Sequence, residues 1–295
     1  WFDDNIDESS HSHRPTAQMM DSLSAVFGRE GIQLINDYGQ GSAPFDGGNL
    51  ISDADGDLSG TGSAEFLAYK AANFASNRNG YFHYAMHPHS YEGGTGSGTA
   101  ERPGDDLLIA SRHHYDEYQW MAGTIMHELG HNLGLQHGGN EKQKYKPNYN
   151  SVMNYQYQFS GVDNNCTIPG NGVLDYSHGT RPSLDENALV EEDGICGGAT
   201  GTDWNDDGDL SDSFSASDEM NIDTRWKERR SSTTCQDTGK YCVLVEDEIY
   251  NTTLTVLTDH NDWGALVFTG ISDSDELNIM HEVIGDDEVE DIIKP

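Results

Sequence analysis

The chain has 295 residues, enough for one large domain or two lobes around a cleft. Its 51 acidic residues against 16 basic ones give a formal charge of −35, a surface that repels phosphate backbones and anionic membranes and argues against both as partners. Apolar residues make up 35%, and no apolar run approaches the ~18 residues of a membrane span.

The opening "WFDDNIDESSHSHRP" is polar and acidic and carries no signal-peptide pattern, so the chain reads as intracellular or as a processed, mature form. Residues 15–27, "PTAQMMDSLSAVF", predict an amphipathic helix with Met19, Leu23 and Phe27 on one stripe. "GIQLIND" (31–37) predicts a short buried strand, and residues 46–63 a turn-rich loop. A second helix, "AEFLAYKAANFA" (64–75), precedes the strand "GYFHYAMH" (80–87). A glycine-rich excursion, "SYEGGTGSGTAERPG", leads to the strand "DDLLIAS" (105–111). The strongest helical pattern runs from about Asp116 to Gly134, with Met121, Ile125, Leu129 and Leu133 recurring every four residues. After His137 the texture turns to acidic loops, with "YCVLV" (241–245) and "GALVF" (264–268) short enough for buried strands. A lobe boundary is expected near residue 140, giving an upper lobe over 1–139 and a lower lobe over 140–295. Strands alternating with helices in the first part point to an α/β lobe with a sheet, in a chain whose overall class is expected to be α+β.

Within the strong helix stands "HELGHNLGLQH" (127–137). Residues four apart share a helix face, so His127 and His131 project in parallel as two ligands of one metal ion. That face is expected to line a cleft while the opposite stripe is buried. Gly134, free to take a left-handed conformation, would end the helix and turn His137 back to complete three imidazoles. Three neutral nitrogens and an open fourth position suit catalytic zinc. Glu128, one step round the helix, is placed to take a proton from water rather than to ligate.

The run "HELGHNLGLQH" resembles the long zinc-binding consensus HExxHxxGxxH of the metzincin clan of metallopeptidases. The resemblance implies a methionine turn downstream, which "SVMNY" (151–155) fits with Met153 as the turn methionine, and it makes Tyr155 a candidate zinc-approaching group that stabilises the oxyanion. It implies an upper lobe of twisted, mostly parallel sheet with helices and an antiparallel edge strand along the substrate. The smaller irregular lower lobe would carry a helix, for which "SLDENALVEEDGI" (183–195) is the candidate. Gly138, followed by Gly139, stands where the best-known branches carry glutamate, proline, aspartate or serine directly after the third histidine, so no branch is assigned.

Further along, "DWNDDGDLSD" (203–212) alternates Asp203, Asn205, Asp207 and Asp209 around Gly208, the first half of a calcium loop; Phe214 at the twelfth position excludes a full EF-hand. His11-Ser-His13, His87-Pro-His89 and the pair at 113–114 read as surface or rim histidines, with a second metal as the alternative. Cys166, Cys196, Cys235 and Cys242 form no CxxC pair; the favoured pairing is Cys166–Cys196 with Cys235–Cys242, two uncrossed local loops, against buried free thiols. Together these features describe a secreted, monomeric zinc endopeptidase with Zn2+ and Ca2+ as cofactors and a protein or peptide as substrate; that it is made as a zymogen is expected from the class, since an active secreted protease endangers its producer. The alternatives are a peptidase selective for glycoproteins and a non-catalytic adhesion module stabilised by calcium and zinc.

Overall fold

In the computed structural model, residues 3–4, 11–38, 48–52, 55–94, 96–168, 170–198, 200–218, 220–223, 253–268 and 279–281 are described. The chain forms two compact units, one of residues 1–135 with 266–295 and one of residues 136–265.

The first unit opens with a short antiparallel pair, β1 (Asp3–Asp4) and β2 (His11–Ser12). Helix α1 (Ala17–Arg29) follows; the Thr16 hydroxyl accepts from the Met19 amide at 3.3 Å and caps it, and Met19, Leu23, Val26 and Phe27 are buried. The predicted stripe is the buried one. The segment 31–37, expected as a strand, pairs with nothing regular; Ile35 stands exposed and Asn36 instead bonds the Met20 carbonyl of α1. Strand β3 (Asp57–Leu58) leads to α2 (Ala64–Asn73), capped by Ser63 and buried through Phe66 and Lys70. Strands β4 (Tyr84–Met86), β5 (Ser90–Tyr91), β6 (Gly98–Glu101) and β7 (Asp106–Ile109) come next, then α3 (Tyr118–Asn132). The glycine-rich excursion thus contains two strands rather than a loop.

Four strands make the larger sheet in the order β12-β6-β7-β4, where β12 is Ile279–His281. The expected mostly parallel sheet is mixed: β4 runs parallel to β7, but β6 is antiparallel to both β7 and β12. The reason is local, because only a short turn separates β6 from β7 and a parallel crossover needs a dozen or more residues. A separate parallel pair joins β3 to β5. Ile51, Leu58, Phe66, Met86, Tyr91, Leu108 and Ala110 form one core cluster here. Helix α3 packs on β6 and β7. Its end is fastened by Asn132, whose amide donates to the Glu101 and Asp106 carbonyls, each at 2.9 Å, while its own carbonyl accepts from Gly104.

The second unit contains β8 (Leu184–Asp185), β9 (Ala188–Val190), β10 (Ser213–Ser215) and β11 (Val256–Leu257), paired antiparallel as β8 with β11 and β9 with β10. The helix expected over 183–195 is therefore absent: the stretch is two short strands and a single 3-10 turn at Glu191–Asp193. Its acidic residues have a different task from complementing a helix dipole. Glu186, fully buried, accepts from the Ile222 and Thr255 amides at 2.7 and 2.8 Å. Glu191 accepts from Trp204 and Asp212 amides at 2.8 and 3.2 Å. The two carboxylates satisfy loop N–H groups that no strand partner reaches. Leu184, Leu189, Ile195, Trp204, Phe214, Met220, Ile222 and Leu257 close the core around them.

The Cys166–Cys196 disulfide is present and closes a loop of 30 residues against this core. The second expected pair, Cys235–Cys242, and the strand expected at 241–245 lie outside the described residues. "GALVF" (264–268) is a turn followed by irregular chain, with Phe268 exposed, and not a buried strand.

Candidate metal centre and active site

Helix α3 carries His127, Glu128 and His131, and every residue from Trp120 to Asn132 is buried. The amphipathic expectation, one apolar face against one open face, is replaced by a helix enclosed all round. The two histidines do project in parallel as the spacing requires. Their Nε2 atoms are 3.1 Å apart, with ring centroids 4.7 Å apart and the planes near perpendicular.

The end of the helix sets the chemistry of His131. The Gly134 amide bonds the His131 carbonyl and the Leu135 amide bonds the Gly130 carbonyl, closing the last turn. Gly134 has φ +97°, where a side chain would be strained and would press on Val267 at 3.2 Å. This reversal brings the Leu135 carbonyl to 2.9 Å from His131 Nδ1. The ring donates there, so its Nε2 keeps the lone pair and presents it toward His127. Two imidazole nitrogens sharing a tetrahedral ion at ~2.0–2.1 Å would be about 3.3 Å apart, so the observed separation fits a common metal.

Glu128 is buried on the same helix, against β6. Space for its carboxylate exists because residue 98 is glycine: a Cβ there would lie 2.5 Å from Glu128 Oε1 and 2.7 Å from the Leu108 carbonyl oxygen. Gly98 was not anticipated from the sequence, where it is one of several glycines in a loop-like run.

His137 is buried in a tight turn in which Gln136 and Gly139 exchange two backbone hydrogen bonds, at 2.9 and 3.0 Å. The two glycines after it now have a physical reason. A side chain at 138 would meet the Gln143 and Glu141 carbonyls, and Gly139, at φ +84°, would collide with His260. The turn is held by Lys146, whose ammonium is fully buried and donates to the Gly138 carbonyl (2.9 Å), the Thr258 carbonyl (2.8 Å) and Glu141 Oε1 (2.6 Å). Sequence reading gave no signal for this lysine. His127 and His131 stand in the first unit and His137 in the second, and all three are buried.

Met153 and Tyr155 lie in the same unit as His137 and are buried. Their turn is tied by Asn154, which donates to the Lys146 and Tyr149 carbonyls at 2.7 and 2.9 Å, and by the Ser151 hydroxyl, which accepts from the Met153 amide. The Tyr155 ring stands 4.4 Å from that of His137, centroid to centroid, with the Lys144 ammonium 5.0 Å from its face. Below the turn, the Tyr149 hydroxyl donates to both oxygens of Asp262, whose carboxyl burial pushes up to about 7.

Residues 68–172 match the gametolysin family of peptidases, peptidase M11. The gametolysin match spans just over a third of the chain, from within α2 through β4, β5, β6, β7, α3 and the 127–137 run to beyond Met153. It supports a metallopeptidase acting on protein or peptide, and the histidine clusters suggest zinc. No curated protein and no solved structure matches the chain.

The expected calcium ligands are only partly gathered. Asp203 accepts from the Asp207 and Gly208 amides of its own loop, and Asp207 and Asp209 accept from amides two residues on. The carboxylates that converge are those of Asp209, Asp212 and the unanticipated Glu191. The reading of His11-Ser-His13 and His87-Pro-His89 as surface histidines is corrected in part: His13 and His87 are buried. His114 sits on Trp120, the rings stacked at 5.0 Å, and pairs with Glu117.

Proposed function

We propose that the chain is a zinc-dependent endopeptidase of metzincin type, with His127, His131 and His137 as ligands and Glu128 as general base. Zinc, when bound, would supply a Lewis acid and lower the pKa of water toward neutrality. Glu128 takes the proton of the attacking water on a carboxylate oxygen and returns it to the leaving amine nitrogen. Gly98 keeps that carboxylate where it is, and the Leu135 carbonyl holds His131 in the ligating tautomer. Tyr155 donates its hydroxyl to the developing oxyanion, and Met153 underpins the turn that carries it. The observation that carries this assignment is the pair of buried Nε2 atoms, 3.1 Å apart, one of them fixed as an acceptor by its own helix turn.

The Cys166–Cys196 bond fits secretion into an oxidising compartment, and among the described residues no helix is long and apolar enough to cross a membrane. A zymogen form follows from the hazard an active secreted protease presents to its producer. Calcium in the 203–212 loop is part of this reading, supported by the alternating carboxylates. Selectivity for glycoproteins is kept as the second substrate class. An adhesion module without catalysis would have no use for Glu128 beside the histidine pair.

The test is digestion of casein by purified protein with and without a zinc chelator, followed by zinc add-back. Loss and recovery of cleavage are expected. Equal digestion in chelator would end the assignment.

A further inference from the structure

A second histidine cluster lies in the first unit, built from residues outside α3. The extended backbone of β2 and the residue after it puts His11 and His13 on one side, with the exposed Ser12 on the other. The chain returns beside them 76 residues later, just ahead of β5, and presents His89. One ring nitrogen of each of His11, His13 and His89 lies within 4.8 Å of the other two.

The details suit ligation. His13 Nε2 and His89 Nδ1 are 3.3 Å apart. That is the edge expected of a tetrahedron whose metal–nitrogen bonds are about 2.0–2.1 Å long. The other nitrogen of His13 is 2.6 Å from the hydroxyl of Ser111, itself fully buried. Donation from Nδ1–H to that oxygen leaves Nε2 as the lone pair facing His89, the arrangement an outer partner gives a ligating imidazole. His11 is oriented by stacking on Tyr115, with centroids 4.0 Å apart and planes within 10°. Two of the three rings are thus held by something outside the group.

We propose that His11, His13 and His89 bind a second divalent transition-metal ion, zinc or a similar imidazole-seeking ion, which staples the 11–13 segment to the β4–β5 connection. An all-nitrogen donor set favours such ions over calcium or magnesium, which take oxygen. The site is separate from the 127–137 run, and its role is structural.

Full-length protein is stripped of metal, then titrated with zinc in millimolar calcium to occupy carboxylate sites, and bound zinc is counted after dialysis. Two ions per chain are expected for the unaltered protein, one for His11→Ala, one for His89→Gln and one for His131→Ala. His11 is only half-buried, so its variant keeps the fold, which near-UV circular dichroism verifies. Cobalt loading gives an independent readout: His131→Ala retains a d–d absorption band, and His11→Ala combined with His131→Ala loses it. A single zinc that vanishes with His131→Ala would overturn the proposal. So would two ions retained by both His11→Ala and His89→Gln.

Discussion

Gly98→Ala tests whether the position of Glu128, rather than its presence alone, matters. The added methyl would lie 2.5 Å from Glu128 Oε1 and 2.7 Å from the Leu108 carbonyl oxygen. The second contact cannot yield easily, because β6 and β7 are paired in register through Gly98–Ile109 and Thr99–Leu108. The carboxylate, at the end of a side chain, gives by roughly 0.7–0.9 Å to restore a normal carbon–oxygen contact, and the backbone contact remains as packing strain of about 1–3 kcal/mol. A reacting group misplaced by about 1 Å costs on the order of 100-fold in rate. The zinc ligands sit at 127 and 131 and are not touched by the new methyl, so metal content is expected to stay unchanged. The assay is kcat and KM on a fluorogenic peptide, with zinc counted on the same samples and the urea midpoint recorded. Expected are a kcat lower by about two orders of magnitude, a similar KM, and one active-site zinc retained. Activity within twofold of the unaltered enzyme would refute the reasoning, and so would a loss of activity that merely follows a loss of zinc.

Glu128→Gln should abolish peptide cleavage while zinc is retained, since the carboxylate is not a ligand; metal analysis beside a casein assay checks both. Lys146→Met removes three hydrogen bonds from a buried ammonium and should lower stability by about 3–5 kcal/mol, read from urea unfolding, with weaker zinc retention because the His137 turn loses its clamp. Asp262 has its carboxyl raised from 3.8 to about 7 by burial, so the folded chain holds a proton that the unfolded chain releases between those values. Stability should therefore fall as pH rises from about 4 to about 7, by up to about 4 kcal/mol from this group, and then level off. Asp262→Asn should flatten that part of the profile; thermal midpoints measured across the range would expose the error if the two profiles run parallel. Replacing Cys166 and Cys196 with serine frees a 30-residue loop and should lower stability by about 3–4 kcal/mol in denaturant titration.

The helices were legible because their signals are local. The Met19, Leu23, Phe27 stripe is a 3.6-residue pattern that needs no partner to be read. Strands were not, because a two- to four-residue strand is defined by its neighbour. "GIQLIND" has the composition of a strand but finds no partner, whereas Gly98–Glu101 looks like loop and pairs on both sides. The stretch 183–195 misled for a different reason. Its carboxylates resemble a helix N-terminus in sequence, but Glu186 and Glu191 are spent on loop amides more than ten residues away along the chain, a demand no local pattern reveals.

The same division separates what could be read of the site from what could not. His127, Glu128, His131 and Gly134 stand on one helix and its terminating turn, so their relation follows from helix geometry alone, down to the Leu135 carbonyl that fixes one imidazole. The parts that hold them are contributed from afar. Gly98 matters only because β6 happens to run beneath residue 128, and Asn132 only because its amide spans the carbonyls of Glu101 and Asp106. The pairing of His13 with His89 is the extreme case: each belongs to an unremarkable His-x-His, and neither triplet alone places two nitrogens of one pair toward a common point with a third. A chain with thirteen histidines offers many such triplets, so spacing could not select between them. Convergence can, because three imidazole nitrogens within 4.8 Å of one another make a donor set that one divalent ion can share, and two of the rings are braced from outside the group.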